Sequence, residues 1–229
     1  MSEDRPDEDN RQPLSKMRRA IIASMSLSAQ VPQFTLDRMV DVSDLSRVRE
    51  ELRDTGVGVS WEDLLVASCA RALRTHPDVN ASLEDDAIVL HPEINIGIAT
   101  AVPGGLVSPA IVEADQRSLA ELISERKRLR EGATQGKLRG VELFGATFTI
   151  SNLGPYGVDR FRALVIPPQA AILAAGRVLD RDGRSNLALT LSCDHRVLDG
   201  APGAEFLATV RQLLEEPAWV RELVPAGSA

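Results

Sequence analysis

Two apolar runs near the C-terminus, Ala170 to Val178 and Leu187 to Cys193, constrain the fold most, because Arg181-Asp182-Gly183-Arg184 lies between them. An Asp-Gly pair supplies the left-handed backbone that tight strand connections need. Runs of this length, bounded by such a turn, read as adjacent buried strands. The second run ends abruptly in Asp194-His195-Arg196, three polar residues where the strand leaves the core.

The rest of the chain supplies layers to cover that sheet. Residues 1–13, MSEDRPDEDNRQP, are polar and mostly acidic, and they form a tail with too little apolar surface to offset its ordering entropy. Residues 14–229 form one globular domain, a length that suffices for a single substantial core. Leu14, Met17, Ile21, Ile22 and Met25 recur at helical spacing, with Lys16, Arg18 and Arg19 on a basic face. Gln33 to Val42 reads as a strand with an irregularity, and a short helix is expected from Ser43. Ser60 with Asp63, and Ser118 with Glu121, carry the capping pattern of helix starts. These helices are expected to run to about Thr75 and about Glu131, the second with Glu125, Arg126, Arg128 and Arg130 on its polar face.

Further strands are expected at Ala81–Leu83, Ala87–Leu90 and Ala146–Ser151. A hairpin of Asn95–Val102 with Leu106–Ile111 turns at Pro103-Gly104-Gly105, and a last helix spans Gly203–Leu214, ended by Glu216-Pro217. Strands and helices interleave without regular βαβ spacing, so the fold class is α+β with a mixed sheet.

Composition excludes some functions. The formal charge of -7 is the wrong sign for neutralising phosphates along a nucleic acid, and aromatics at 3% leave few rings for base stacking. No apolar run approaches the length needed to cross a bilayer, and the N-terminus lacks a signal-peptide pattern. The two cysteines, Cys69 and Cys193, both lie in apolar stretches, which fits a reducing, cytoplasmic setting. His76 and His91 each precede proline and share no ligand spacing with either cysteine, so no metal site is expected.

Two segments could carry chemistry. A histidine at a strand end can act as acid or base near neutral pH, and Asp194, Arg196 and Asp199 place charges around His195. On local residues alone, a structural histidine is the commoner case. Gly145 to Gly154 contains Ser151-Asn152 at the end of a strand, either a turn-initiating pair or donors to a developing oxyanion. Cys193 reads as a small buried hydrophobe that an alternating strand points away from the side of Asp194.

Asp194-His195-Arg196-Val197-Leu198-Asp199-Gly200 and the Ser151 segment together resemble the catalytic domain of dihydrolipoamide acyltransferases, the core component of 2-oxo acid dehydrogenase complexes. The resemblance extends through Leu14 to Thr35, Val79-Asn80-Ala81-Ser82, Asn95-Ile96-Gly97-Ile98-Ala99 with Gly105-Leu106-Val107, and Gly136-Lys137-Leu138. It continues through Pro167-Pro168-Gln169-Ala170-Ala171-Ile172 and the helix ending at Pro217, covering Leu14 to Trp219. It implies a chloramphenicol acetyltransferase-like mixed sheet flanked by helices, assembled as a homotrimer with active sites at subunit interfaces.

The resemblance also implies roles. His195 is the general base that takes the thiol proton of coenzyme A or dihydrolipoamide, and Ser151 stabilises the oxyanion. Asp199 holds the His195 loop through a salt bridge, with Arg18 or Arg19 of the first helix as partner. Coenzyme A is held by Arg49, Ser60, Ser151, Asn152 and Gly176, with Arg130 as a further contact. The acyl group arrives on a lipoyl domain acting in trans, and the dehydrogenase components of the complex are implied partners.

Two departures stand out: Pro32-Gln33 where the family commonly has Pro-His, and a C-terminus from Leu223 to Ala229 without an apolar anchor, which favours an isolated trimer. With no lipoyl hairpin before Leu14, the chain is expected to be either an excised catalytic domain or an enzyme served by another polypeptide's lipoyl groups. Rival readings are a non-catalytic trimeric scaffold and an antibiotic O-acetyltransferase of the same fold, though the latter group usually shows His-His where this chain has Asp194-His195.

Overall fold

The computed structural model describes residues 12–223. Most of the expected acidic tail, and the C-terminal stretch beyond Leu223, lie outside the described residues. Helix α1 (Lys16–Ser28) starts where the Ser15 hydroxyl accepts the Arg18 amide. Strand β1 (Gln33–Asp41) follows, then α2 (Ser43–Asp54) and α3 (Trp61–Leu73). The hairpin β2 (Ala81–Glu84) and β3 (Ala87–Leu90) stands apart from the main sheet.

The long hairpin expected over residues 95–111 is broken into four short strands: β4 (Ile96–Ile98), β5 (Thr100–Val102), β6 (Gly105–Val107) and β7 (Ala110–Ile111). β4 and β7 belong to the main sheet, whereas β5 and β6 form a two-stranded ribbon of their own. The break falls where the Ile98 amide donates to the Pro109 carbonyl and the Ala99 amide donates to Ile150, while Pro109 itself has no amide to continue a ladder.

Helix α4 (Leu119–Gln135) runs four residues past the expected end, to Gly136, whose φ of +66° closes it. A short α5 (Gly140–Phe144) leads into β8 (Phe148–Asn152). Strands β9 (Ala171–Arg181) and β10 (Arg184–Asp194) form the predicted hairpin, with Asp182 and Gly183 at φ of +52° and +76°. Helix α6 (Gly200–Glu215) begins three residues before the expected Gly203, because Pro202 in a first turn costs no hydrogen bond. A short α7 (Ala218–Glu222) ends the described chain.

The sheet is six-stranded in the order β1-β10-β9-β8-β4-β7. β8 runs parallel to β9 and β4, and the other pairs are antiparallel, so the sheet is mixed as expected. The β1–β10 register is unbroken from Gln33 opposite Asp194 to Asp41 opposite Asn186, so the irregularity expected in β1 is absent. The irregular step lies instead between β9 and β10, at Leu187 and Leu189. Helices α3 and α6 supply Leu64, Leu65, Leu73, Phe206, Val210 and Leu214 to the core beneath Phe148, Ile150, Leu173, Leu189 and Leu191.

Helix α1 is the exception to this packing. Its apolar residues rest on β6, where a Cβ on Gly105 would lie 2.6 Å from Ile21 Cδ1 and 2.8 Å from Met17 Sδ. Leu14, Ile22 and Leu27 remain exposed.

Candidate active site

The end of β10 holds His195 by its backbone. The His195 amide donates to Pro32 O at 2.9 Å, and the Asp194 amide donates to Ala170 O at 2.8 Å. Asp194 is buried, and its carboxylate accepts the Arg196 amide (2.9 Å), Nε (3.0 Å) and Nη2 (2.7 Å). Asp194 O also accepts the amides of Val197 and Leu198. The loop is therefore clamped at its first residue, while the His195 ring stays 55% exposed and packs against Phe34 at 4.7 Å between centroids.

Asp199 Oδ1 lies 3.7 Å from His195 Nδ1, too long for a hydrogen bond. The expected partnership of Asp199 with Arg18 or Arg19 is not formed within the chain. Arg19 Nη1 donates to Leu14 O at 2.8 Å, and Asp199 has no arginine partner among the described residues. Gln33 is committed structurally: its side chain donates to Ser28 O and accepts the Val165 amide.

A second feature lies at the other end of the sheet. A cleft of about 380 Å³ is lined by Arg49 of α2, Ser60 and Trp61 at the start of α3, Arg126 and Arg130 of α4, and Asn152 and Gly176. Five expected coenzyme A contacts, Arg49, Ser60, Arg130, Asn152 and Gly176, thus converge on one surface although they are spread over 128 positions of the chain. Ser151 borders this group in sequence but does not line the cleft.

The walls are built from charge pairs. Asp63, fully buried, accepts Arg126 Nε at 2.6 Å and Nη2 at 3.1 Å, together with the Ser60 amide and hydroxyl at 2.8 and 2.6 Å. Arg126 is therefore a buried strut and not part of the solvated face expected for α4. Burial acts to lower its pKa, but Asp63 and then Glu62 outweigh that and raise it. The Ser60 hydroxyl spends its proton on Asp63, so it can offer a ligand only an acceptor. Arg49 donates Nε to Val59 O at 3.2 Å and lies 5.5 Å over the Trp61 ring, with no carboxylate partner among the described residues. Burial and then Arg53 lower its pKa, the signature of a cation short of a counter-charge.

Asn152 accepts the Gly154 amide at 2.9 Å through Oδ1, which leaves its amide group for a ligand. Gly176 sits at the β9–β10 irregularity, where a Cβ would meet Asp159 O at 1.9 Å. That contact alone requires glycine, whatever the cleft binds.

Strand register fixes the distance between the two regions. Ser151 is level with Ala174, and Ala174 with Thr190, five residues before His195. Five residues at about 3.3 Å and two strand spacings of about 4.8 Å put His195 roughly 19 Å from Ser151 within one chain.

A family model described as 2-oxoacid dehydrogenases acyltransferase (catalytic domain) matches residues 6–220. The chain belongs to that family. This acyltransferase-family domain is 38% identical over 227 residues to the dihydrolipoyllysine-residue acetyltransferase component of the pyruvate dehydrogenase complex of Rickettsia bellii, covering 93% of this chain and 54% of that protein. The chain spans about half the length of the curated relatives it matches first.

Among solved structures it superposes on the dihydrolipoamide acetyltransferase of Azotobacter vinelandii with a TM-score of 0.87 at 32% identity, covering 93% of this chain and 94% of that one. That protein was studied for the roles of a serine, a histidine and an asparagine in its catalytic mechanism. A chloramphenicol acetyltransferase superposes with a TM-score of 0.55 at 14% identity, over 87% of this chain and 95% of that one, which shows the shared fold.

Other sequence candidates fall into structural roles in this domain. His76 Nε2 lies 2.8 Å from Thr209 Oγ1, and His91 Nε2 lies 3.0 Å from Ser82 Oγ. Cys193 is buried, and burial pushes its thiol up to about 12, which makes it a poor nucleophile. Among the described residues no group of His, Cys, Asp and Glu could hold a metal ion, and no helix is long and apolar enough to cross a membrane. Sequence reasoning missed Glu62, Trp61 and Arg126 as cleft residues. Their common signal is position, either within two residues of Ser60 or one helical turn before Arg130.

Proposed function

We propose that this domain moves an acyl group between dihydrolipoamide and coenzyme A, with His195 as general base and Ser151 as oxyanion donor. The observation that carries the reading is the convergence of Arg49, Ser60, Arg130, Asn152 and Gly176 on one cleft at the Ser151 end of the sheet. Cationic Arg49 and Arg130 suit the phosphates, and the Asn152 amide suits the pantetheine arm.

The chemistry needs a thiolate, since a free thiol is mostly protonated at neutral pH. His195 takes that proton, the sulfur attacks the thioester carbonyl, and Ser151 donates to the oxygen as negative charge develops there. Collapse of the intermediate expels the other sulfur, which recovers the proton from the imidazolium. Direct transfer in a ternary complex uses proximity and no acyl-enzyme. Asp199, four positions after His195, stands at the spacing that separates the histidine and asparagine studied in the Azotobacter vinelandii enzyme.

A separation of roughly 19 Å is too large for one chain to make the site alone. We therefore read the active unit as a homotrimer in which His195 of one subunit meets Ser151 of the next, as closed rotational symmetry allows. The exposed Leu14, just ahead of α1, and Ile22 and Leu27 on it supply apolar surface for such contacts. The lipoyl group enters in trans, and the proposed setting is a cytoplasmic 2-oxo acid dehydrogenase complex.

The test is acyl transfer from several acyl-coenzyme A species to free dihydrolipoamide, with His195→Ala as control. Turnover that is lost in the variant supports the reading. Acylation of chloramphenicol but not dihydrolipoamide, or no turnover with any acceptor, overturns it.

A further inference from the structure

The proposed coenzyme A cleft contains a carboxylate on the side where a phosphate is expected. Glu62, the second residue of α3, is 8% exposed, with Oε2 at 3.2 Å from Arg130 Nη2 and 3.8 Å from Arg126 Nη1. Its surroundings are Asp63 on its own helix, Arg126 and Arg130 from α4, Arg49 from α2 and Arg177 from β9.

These charges are not equally available. Arg126 is held bidentate by Asp63, and Arg177 Nε is 2.5 Å from Asp159 Oδ1. Arg130 has a side chain 56% exposed and reachable by a ligand, and its carboxylate partner among the described residues is Glu62.

We infer that Glu62 is a specificity-determining residue of this cleft: its carboxylate competes with a phosphate of coenzyme A for the Arg130 guanidinium, so that binding the phosphate is coupled to proton uptake by Glu62. The inference rests on reading the cleft as the coenzyme A site. A phosphate drawn to Arg130 comes beside the Glu62 carboxylate in a partly water-excluded space, where two like charges on one guanidinium repel strongly. Protonating Glu62 removes the repulsion and converts an acceptor into a donor that the phosphate oxygen can accept from.

Burial already pushes the Glu62 carboxyl above its ordinary range, against the opposing pull of Arg130 and Arg126, and Asp63 adds to the rise. An arriving anion raises it further. The sign follows: a group whose pKa rises on binding takes up a proton, so affinity for coenzyme A increases as pH falls through the range in which bound Glu62 titrates.

The experiment is calorimetric titration of coenzyme A into the full chain in two buffers of different protonation enthalpy, repeated with Glu62→Gln and Arg130→Gln. The wild-type protein is expected to take up more protons per coenzyme A bound than either variant, because both remove the competition. A coupling of one-half to one pKa unit corresponds to coenzyme A binding about threefold to tenfold tighter in Glu62→Gln than in wild type near neutral pH. Pantetheine, which carries no phosphate, should gain less.

Equal proton uptake in wild type and Arg130→Gln overturns the inference even if Glu62→Gln fails to fold. Unchanged affinity in a folded Glu62→Gln protein also overturns it. Failure of the wild-type protein to bind coenzyme A at all overturns instead the reading of the cleft on which it rests.

Discussion

Replacing Asp63 by alanine tests whether the cleft is held by its buried charge pair. The substitution strips Arg126 of both short contacts, at 2.6 and 3.1 Å, while leaving its guanidinium almost as buried as before. Removing one partner of a buried ion pair costs about 3–5 kcal/mol. Glu62, 3.8 Å from Arg126, relieves part of that and sets the lower end, about 3 kcal/mol. The change also removes the acceptor for the Ser60 amide and hydroxyl, a helix-start contribution of about 1 kcal/mol.

The expected total, about 4 kcal/mol, corresponds to a fall in melting temperature of about 8–16 °C for a chain of this size. It is to be read by thermal and denaturant unfolding at fixed protomer concentration, because assembly contributes to apparent stability. The distinguishing measurement is the double variant Asp63→Ala with Arg126→Met. It removes the stranded charge, so it should be less destabilised than Asp63→Ala alone. If Asp63→Ala costs under about 1 kcal/mol, or the double variant is the sum of the singles, the pair is not what holds α3 to α4.

Gly176→Ala forces a Cβ to within 1.9 Å of Asp159 O, so the cleft wall must move, and coenzyme A affinity should fall together with unfolding temperature. Retention of both would refute the packing argument. Glu142 is pushed up by burial, but hydrogen bonds from Arg139 and Arg128 outweigh that and hold it at about 2. Its folded value therefore lies below the unfolded one, and the stability it contributes is present above about pH 4.5 and lost as pH falls toward about 2. Acid unfolding of Glu142→Gln should lack that component, and an unaltered acid limb would contradict the assignment. Ser151→Ala should lower turnover by about 10²-fold with a much smaller change in coenzyme A affinity, measured by steady-state rates beside direct binding.

Local chemistry made much of this fold legible before the structure. Ser60-to-Asp63 and Ser118-to-Glu121 mark both helix starts because the capping box is satisfied within four residues. The β9–β10 hairpin was readable because Asp182-Gly183 names its own turn. What stayed hidden depends on distant partners. Arg126 looks like a solvated helix charge until Asp63, 63 positions earlier, is found beneath it. The division of residues 95–111 between two sheets depends on Pro109 lying against Ile98 and on β8 capturing Ala99, neither of which has a periodic signature.

The site divides in the same way. His195 and Ser151 stand out by position at strand ends, whereas Arg49, Ser60 and Arg130 were singled out by resemblance and became a group only through folding. Glu62 carries no sequence signal beyond standing two residues after Ser60.

The central claim is that catalysis joins His195 of one subunit to Ser151 of another, and subunit complementation measures it most directly. His195→Ala and Ser151→Ala proteins are each purified, then unfolded and refolded together in equal amounts so that subunits mix at random. An interface site is intact only when its histidine comes from the Ser151→Ala chain and its serine from the His195→Ala chain. Random trimers should therefore recover about a quarter of wild-type turnover. Activity no greater than that of the two variants refolded separately would contradict the claim and place both residues' work within a single chain.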